Sequence, residues 1–170
     1  MIRVCTACAL SVSGEGGVVS ERTFVMIKPD ALSRRLIGRV IDRYESKGLK
    51  LVGMKLQIVP RELAERQYAE HRGKPFYDDL INFMTSGPSI ALVWEGPNAV
   101  ETVRAMNGAT DSAKAEPGTI RGEFGLTAHR NIVHASDSLD TAKWEIDLYF
   151  DEADLLSYAM PDESWLGVTV

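Results

Sequence analysis

Two periods of apolar residues run along this chain, and the switches between them mark its elements. Arg22–Ile27, RTFVMI, is rich in aromatic and β-branched residues and predicts a first strand, ended by Lys28-Pro29-Asp30. Pro29 donates no ladder hydrogen bond and biases Lys28 towards extended geometry, which places Lys28 at the strand end. From about Leu36 to Ser46 the spacing turns helical, with Leu36, Ile37, Val40, Ile41 and Tyr44 on one face and Gly48 as the stop. Lys50–Val59 alternates again. Its wholly apolar set, Val52, Met54, Leu56 and Ile58, is expected to face the core. Pro60 suits the first turn of a helix to about Ala69, and Phe76–Met84 predicts another, broken by Ser86-Gly87-Pro88. Ser89–Trp94 is a short apolar run, as in a central strand, and Pro97 and Asn98 open a helix to about Met106. Thr110–Phe124 contains Gly and Pro without a sustained period, and a loop of that length in a compact domain is usually functional. Asn131–His134 predicts a short strand, and Leu139–Asp147 a helix capped by Ser138 or Asp137. A strand-like Leu148–Phe150 and a small helix, Asp151–Leu156, precede an irregular tail.

The order is therefore βαβ, a helical insertion, then βαβ. Two such halves fit an α+β fold of the ferredoxin-like split βαβ kind: a four-stranded antiparallel sheet with helices, plus the additional insertion and the long loop. A doubly wound Rossmann sheet is the alternative, disfavoured because no G-x-G-x-x-G follows the first strand. The length of 170 residues suits one domain. Residues 1–20, rich in Gly and Ser at Ser11–Gly17, predict a poorly ordered extension, and residues 21–170 a single domain with a C-terminal tail.

Composition narrows the function classes. With 45% hydrophobic and 25% charged residues the chain reads as soluble and globular rather than disordered. A net charge of -5 argues against broad attraction to nucleic acid or acidic membranes, but a local cluster of cations can still hold a small anion. Cys5 and Cys8 form a C-x-x-C with no second pair and no nearby His, which favours an incidental pair in a tail and a reducing compartment. The mildly apolar Val4–Val12 lacks the apolar strength of a secretory signal, and no run is long enough to span a membrane, so a cytoplasmic location is expected.

Of the three histidines, His134 stands where an apolar strand meets the polar run Ala135-Ser136-Asp137-Ser138. A neutral imidazole is a competent nucleophile towards a phosphoryl group if one ring nitrogen is free and the other is held. Glu145, in the next helix, is the natural holder, and Ser136 is placed to steady Glu145. A packed histidine beside a helix cap is the alternative. Lys28, Arg104 and Arg121 sit at a strand end, in a helix and in the long loop, and fit either a local anion pocket or ordinary surface ion pairs. Tyr68, His71 and Thr110 are further phosphate-binding candidates, and Phe76 is a candidate to lie against a base. The chain has no G-x-x-x-x-G-K-[ST], no protein-kinase loop set, no G-x-S-x-G and no H-E-x-x-H, which removes the common phosphate-cradle, hydrolase and zinc schemes.

Asn131-Ile132-Val133-His134-Ala135-Ser136-Asp137-Ser138 resembles the N-x-x-H-x-S-D signature of the nucleoside-diphosphate kinase family. Lys28-Pro29-Asp30-Ala31, His71–Tyr77, Ser86-Gly87-Pro88, Val93-Trp94-Glu95-Gly96 and Pro117–Gly122 match further markers in the family's order, so the likeness runs from about Arg22 to Trp165. The resemblance implies a reversible ping-pong transfer of the terminal phosphate from a nucleoside triphosphate to a nucleoside diphosphate, through phosphohistidine at His134. It further implies that Glu145 and Ser136 orient His134, that Lys28 and Asn131 contact sugar hydroxyls, and that Tyr68, His71, Arg104, Thr110 and Arg121 surround the phosphates. Phe76 would stack on the base, which tolerates any flat π face. Mg2+ is expected on the phosphates of ATP and the other nucleotides rather than on protein ligands. The family implies a homo-hexamer, alternatively a homo-tetramer or dimer.

Several positions depart from the family pattern. Ala128 stands where valine is common, Ser112 where proline is common in a loop that helps assemble subunits, and Glu123 where Asp is usual. Trp144 lies off the apolar stripe of Leu139, Ala142 and Ile146, and Trp165-Leu166-Gly167 matches the family C-terminus only in part. Two rival readings are a histidine-dependent phosphatase sharing the same pocket and a non-enzymatic nucleotide-binding or assembly protein. No basic stripe with interleaved aromatics supports a nucleic-acid partner.

Overall fold

The computed structural model describes residues 20–161; Cys5, Cys8, the rest of the expected extension through residue 19, and residues 165–167 lie outside the described residues. Among the described residues the strands are β1 (Ser20–Ile27), β2 (Lys50–Ile58), β3 (Pro88–Pro97) and β4 (Val133–Ala135), in one sheet ordered β2-β3-β1-β4. All three neighbouring pairs are antiparallel. Consequently β1 and β2 run parallel with β3 between them, and β3 and β4 run parallel with β1 between them. This is the split βαβ arrangement that the alternation of elements predicts.

The helices are α1 (Pro29–Ser33), α2 (Ile37–Ser46), α3 (Arg61–Gln67), α4 (Tyr77–Met84), α5 (Ala99–Asn107), α6 (Ile120–Phe124) and α7 (Leu139–Tyr149). They cover both faces of the sheet. On one face Val25, Ile27, Leu92 and Trp94 pack with Ala31, Val40, Tyr44, Val103 and Ile120. On the other, Phe24, Met26, Ala91 and Val93 pack with Ala64, Ile81, Met84, Ile146 and Tyr149, so the helical insertion and α7 close the second side. A strand buried on both faces reads as an unbroken apolar run, and Phe24–Ile27 are all fully buried.

The alternation expected of β2 is broken by a bulge between Leu51 and Gly53. Val52 enters the second cluster, but Met54, Leu56 and Ile58 are 49%, 68% and 66% exposed, contrary to the expectation that all four face the core. Beyond the bulge Met54 and Leu56 stand opposite Leu92 and Ile90, on the α2 side, but at a sheet edge that the helical cover does not reach.

Other boundaries moved for local reasons. Leu148 and Tyr149 are not strand-like; they finish α7, whose Ile146 and Tyr149 share the buried side. The small helix expected over Asp151–Leu156 shrinks to a single 3-10 turn at Glu152–Asp154. The stretch Thr110–Phe124 is not structureless, for it holds a 3-10 turn at Ser112–Lys114 and α6. In α6, Gly122 permits close packing, since a Cβ there would lie 2.1 Å from the Glu116 carbonyl oxygen. α1 is too short to leave a periodic signal in the sequence.

Candidate active site

His134 lies on edge strand β4, opposite Met26 of β1, so its ring is on the sheet face covered by α3, α4 and α7. Ser138 caps α7 by accepting a hydrogen bond from Thr141 N at 3.1 Å. The helix then runs back along the sheet and returns Glu145 to the histidine. His134 Nε2 is 2.5 Å from Glu145 Oε1, and Ser136 Oγ donates to Glu145 Oε2 at 2.5 Å. A carboxylate only accepts, so Nε2 carries the proton and, in the neutral ring, the lone pair is on Nδ1. Burial alone would raise the pKa of Glu145. The charge of His134 and the hydrogen bonds from His134, Ser136 and Gln67 outweigh it and hold the carboxyl below its ordinary range.

β4 is entered through a strained turn. Ile132, fully buried, has φ of 72°, and Val133 N donates to Asn131 O at 2.8 Å, closing a γ-turn that side chains with a branched Cβ rarely adopt. Such a conformation costs on the order of 1–3 kcal/mol and persists where the surroundings enforce it. Here Ile132 N donates to Asp30 Oδ2 at 3.1 Å, and Lys28 N donates to Ile132 O at 2.9 Å. The Lys28-Pro29-Asp30 step after β1 thus clamps the turn that presents Asn131 and His134.

The same turn gathers the cations. Lys28 Nζ donates to Asn131 Oδ1 at 2.6 Å, and Asn131 Nδ2 donates to Thr110 O at 2.9 Å. Arg121 ties the loop to β4 through Gly108 O at 2.7 Å, Val133 O at 2.9 Å and Asn131 O at 3.3 Å. Burial first, then the neighbouring charges of Arg121 and Arg130, lower Lys28 from 10.5 to about 7, against the opposing pull of Asp30. Arg104, exposed at the cavity wall, has no side-chain partner among the described residues.

A cavity of about 730 Å³ joins these groups. Lys28, Tyr68, His71, Phe76, Arg104, Thr110, Arg121, Asn131, His134 and Glu145 all line it, while Ser136 lies buried behind Glu145. Tyr68 stands edge-on to His134 with ring centroids 5.7 Å apart, and its buried hydroxyl has no partner among the described residues. Burial, then Tyr149 and Glu145, push its pKa well up, so it remains a neutral donor. Phe76 is half-exposed and edge-on to His71 at 5.5 Å, and His71 Nδ1 is 3.0 Å from Lys74 Nζ. Ala128 and Trp144 also line the cavity.

Sequence reasoning passed over Gln67 and Tyr149. Gln67 Nε2 donates to Glu145 Oε1 at 3.1 Å, and Tyr149 OH donates to Gln67 Oε1 at 2.7 Å. A glutamine on the inward side of α3, three residues after buried Ala64, was the available signal for the first. Reading Leu148–Phe150 as a strand hid the second.

Comparison with known proteins agrees with this geometry. The family model for nucleoside diphosphate kinase matches residues 21–155. A nucleoside diphosphate kinase from Staphylococcus aureus (strain MSSA476) is 60% identical over 146 residues, spanning 86% of this chain and 98% of the relative. Among solved structures, the Halobacterium salinarum nucleoside diphosphate kinase in complex with CDP superposes with a TM-score of 0.85 at 47% identity, covering 87% of this chain and 99% of that one. The Aquifex aeolicus enzyme superposes with a TM-score of 0.79 at 37% identity, covering 81% and 100%. With its signature histidine held by a buried carboxylate and its relatives matched nearly end to end, the chain belongs to the nucleoside diphosphate kinase family.

Proposed function

We propose that His134 is the phosphoryl carrier in the reversible transfer of the terminal phosphate from a nucleoside triphosphate to a nucleoside diphosphate. The observation that carries this reading is the 2.5 Å contact of Nε2 with Glu145, which leaves Nδ1 as the basic nitrogen in the cavity. The Nδ1 lone pair forms an N–P bond to the γ-phosphorus. The bond from phosphorus to the bridging oxygen breaks, and its electrons leave with the diphosphate. In the second half, a terminal oxygen of the incoming diphosphate attacks, and the N–P pair returns to Nδ1. Glu145 and Ser136 keep the ring aligned in both halves.

Charge moves among phosphoryl oxygens during this step, so donors already aimed at that volume stabilise it most. Arg104, Arg121, Thr110 and His71 are assigned to the phosphates, with the unpartnered Tyr68 hydroxyl reaching the transferred group. Lys28 and Asn131 are assigned to the sugar hydroxyls, and Phe76, at the rim, to the base. The Halobacterium salinarum relative in complex with CDP supports a nucleotide as the ligand of this chain. Among the described residues no group of three or more His, Cys, Asp or Glu could hold a metal ion. A cavity lined by cations suits Mg2+ carried on the nucleotide's own phosphate oxygens, where it offsets charge and orients them.

The exposed Met54, Leu56 and Ile58 on edge strand β2 support association of like chains, which we assign as a hexamer, with tetramer and dimer as the alternatives. No helix among the described residues is long and apolar enough to cross a membrane, and we place the protein in the cytoplasm.

Incubation with γ-labelled ATP, removal of nucleotide and addition of GDP tests the reading. Label passing to GTP is expected. Release mainly as free phosphate would make the protein a phosphatase, and His134→Gln that still exchanges label would remove His134 from the role.

A further inference from the structure

Glu145 accepts three hydrogen bonds while being only 2% exposed: His134 Nε2 and Gln67 Nε2 on Oε1, and Ser136 Oγ on Oε2. Gln67 shares the oxygen that holds the histidine, and it comes from α3, 78 positions away in the chain. Its orientation is determined. The carbonyl end of the amide would repel the carboxylate, so Nε2 must point to Glu145, and Oε1 then receives Tyr149 OH at 2.7 Å. Both polar atoms of Gln67 are engaged, so although it lines the cavity its amide joins Glu145 to Tyr149.

We infer that Gln67, held by Tyr149, is a positioning residue that sets how strongly Glu145 pulls on the His134 ring. The inference rests on His134 being the phosphoryl carrier. Glu145 has a fixed capacity to accept, and what Gln67 draws from Oε1 is withheld from the imidazole. With Gln67 in place the carboxylate orients the ring while sharing Oε1 with a second donor. Without it, Oε1 is satisfied by His134 alone, the imidazolium is favoured, and Nδ1 stays protonated to higher pH. The carboxylate also loses one of its restraints, so the attack angle loosens.

Groups near the ring from other elements bear on the same titration. Tyr68 follows α3, Asp137 follows β4, Lys28 follows β1, and Arg104 and Arg121 come from α5 and α6; all line the cavity with His134. None of them touches Oε1 of Glu145, so Gln67→Met removes two hydrogen bonds, the one to Glu145 and the one from Tyr149, and leaves these charges in place.

The test uses the full-length protein with Gln67→Met, close in size but without a donor, and Tyr149→Phe, which keeps the ring and removes the hydroxyl. Single-turnover phosphorylation of His134 by γ-labelled ATP is measured across pH, with the ATP KM and the thermal midpoint alongside. Gln67→Met is expected to lower the maximal phosphorylation rate about ten-fold and leave KM within about two-fold. Its acid limb should move up by on the order of half a pH unit, and Tyr149→Phe should move it the same way by less. A folded Gln67→Met whose acid limb and rate match the wild type overturns the inference. If that variant does not fold, Tyr149→Phe decides, and an unmoved acid limb there overturns it equally. Wild-type protein that carries no label on His134 would instead sink the carrier assignment, whatever Gln67 does.

Discussion

Binding of ADP should take up protons at pH 8 and fewer at pH 6, because Lys28, beside the sugar, comes under the field of the arriving phosphates. In the free protein Lys28 titrates at about 7, lowered by burial and by Arg121. At pH 8 it is then only about one tenth protonated. The phosphates of a bound diphosphate add to the pull of Asp30 and offset that of Arg121, so the ammonium form is favoured and a proton is taken up. At pH 6 Lys28 is already about nine tenths protonated, and uptake from this group falls to about 0.1. The phosphates of ADP are fully ionised at pH 8 and contribute no release of their own. Calorimetric titration in HEPES and in Tris, whose ionisation enthalpies differ, reads the proton count directly. The absence of net uptake at pH 8 would refute the assignment of Lys28 as a buried amine that charges on binding. Stability carries the same signature. Between about 7 and 10.5 the unfolded chain holds this proton and the folded chain does not, so stability rises with pH in that window, and Lys28→Met should lose that part of the slope.

Three further outcomes rest on separate parts of the structure. At Ile132, with φ of 72°, alanine keeps the strain and glycine relieves it, so Ile132→Gly should be at least as stable as Ile132→Ala in urea unfolding. Glycine weaker by about 1 kcal/mol, as at an ordinary strand position, would contradict the strained turn. Leu56→Asp, at a position 68% exposed, should leave the fold within about 0.5 kcal/mol but reduce the assembly size in sedimentation velocity; an unchanged size would clear β2 of any role in association. Ser138→Ala removes the cap of α7 and should cost about 1 kcal/mol in chemical unfolding, and no loss would mean the cap does not hold the helix that returns Glu145.

Local pattern carried the strands and the longer helices because each buries a periodic face. β1 and β3 read as continuous apolar runs since the sheet is covered on both sides. Lys28 and His134 stood out where an apolar strand meets polar sequence, whereas Asn131 gained its role only through the resemblance of Asn131–Ser138 to the family signature. What escaped depends on distant partners. The bulge at Leu51/Gly53 and the edge position of β2 decide that Met54, Leu56 and Ile58 face outward, and neither is written in the alternation of those residues. The γ-turn at Ile132 is enforced by Asp30, about a hundred positions earlier, so no local propensity announces it. Gln67 acquires a role only when α3 and α7 pack against the same face.

The central claim is that Glu145 occupies one ring nitrogen of His134 and leaves the other to take the phosphoryl group. Phosphorus–nitrogen correlation NMR on ring-labelled protein after ATP treatment locates the new bond. A phosphoryl group on Nδ1 of His134 that disappears when GDP is added is the predicted result. Phosphorylation at Nε2, or on any residue other than His134, would contradict the account.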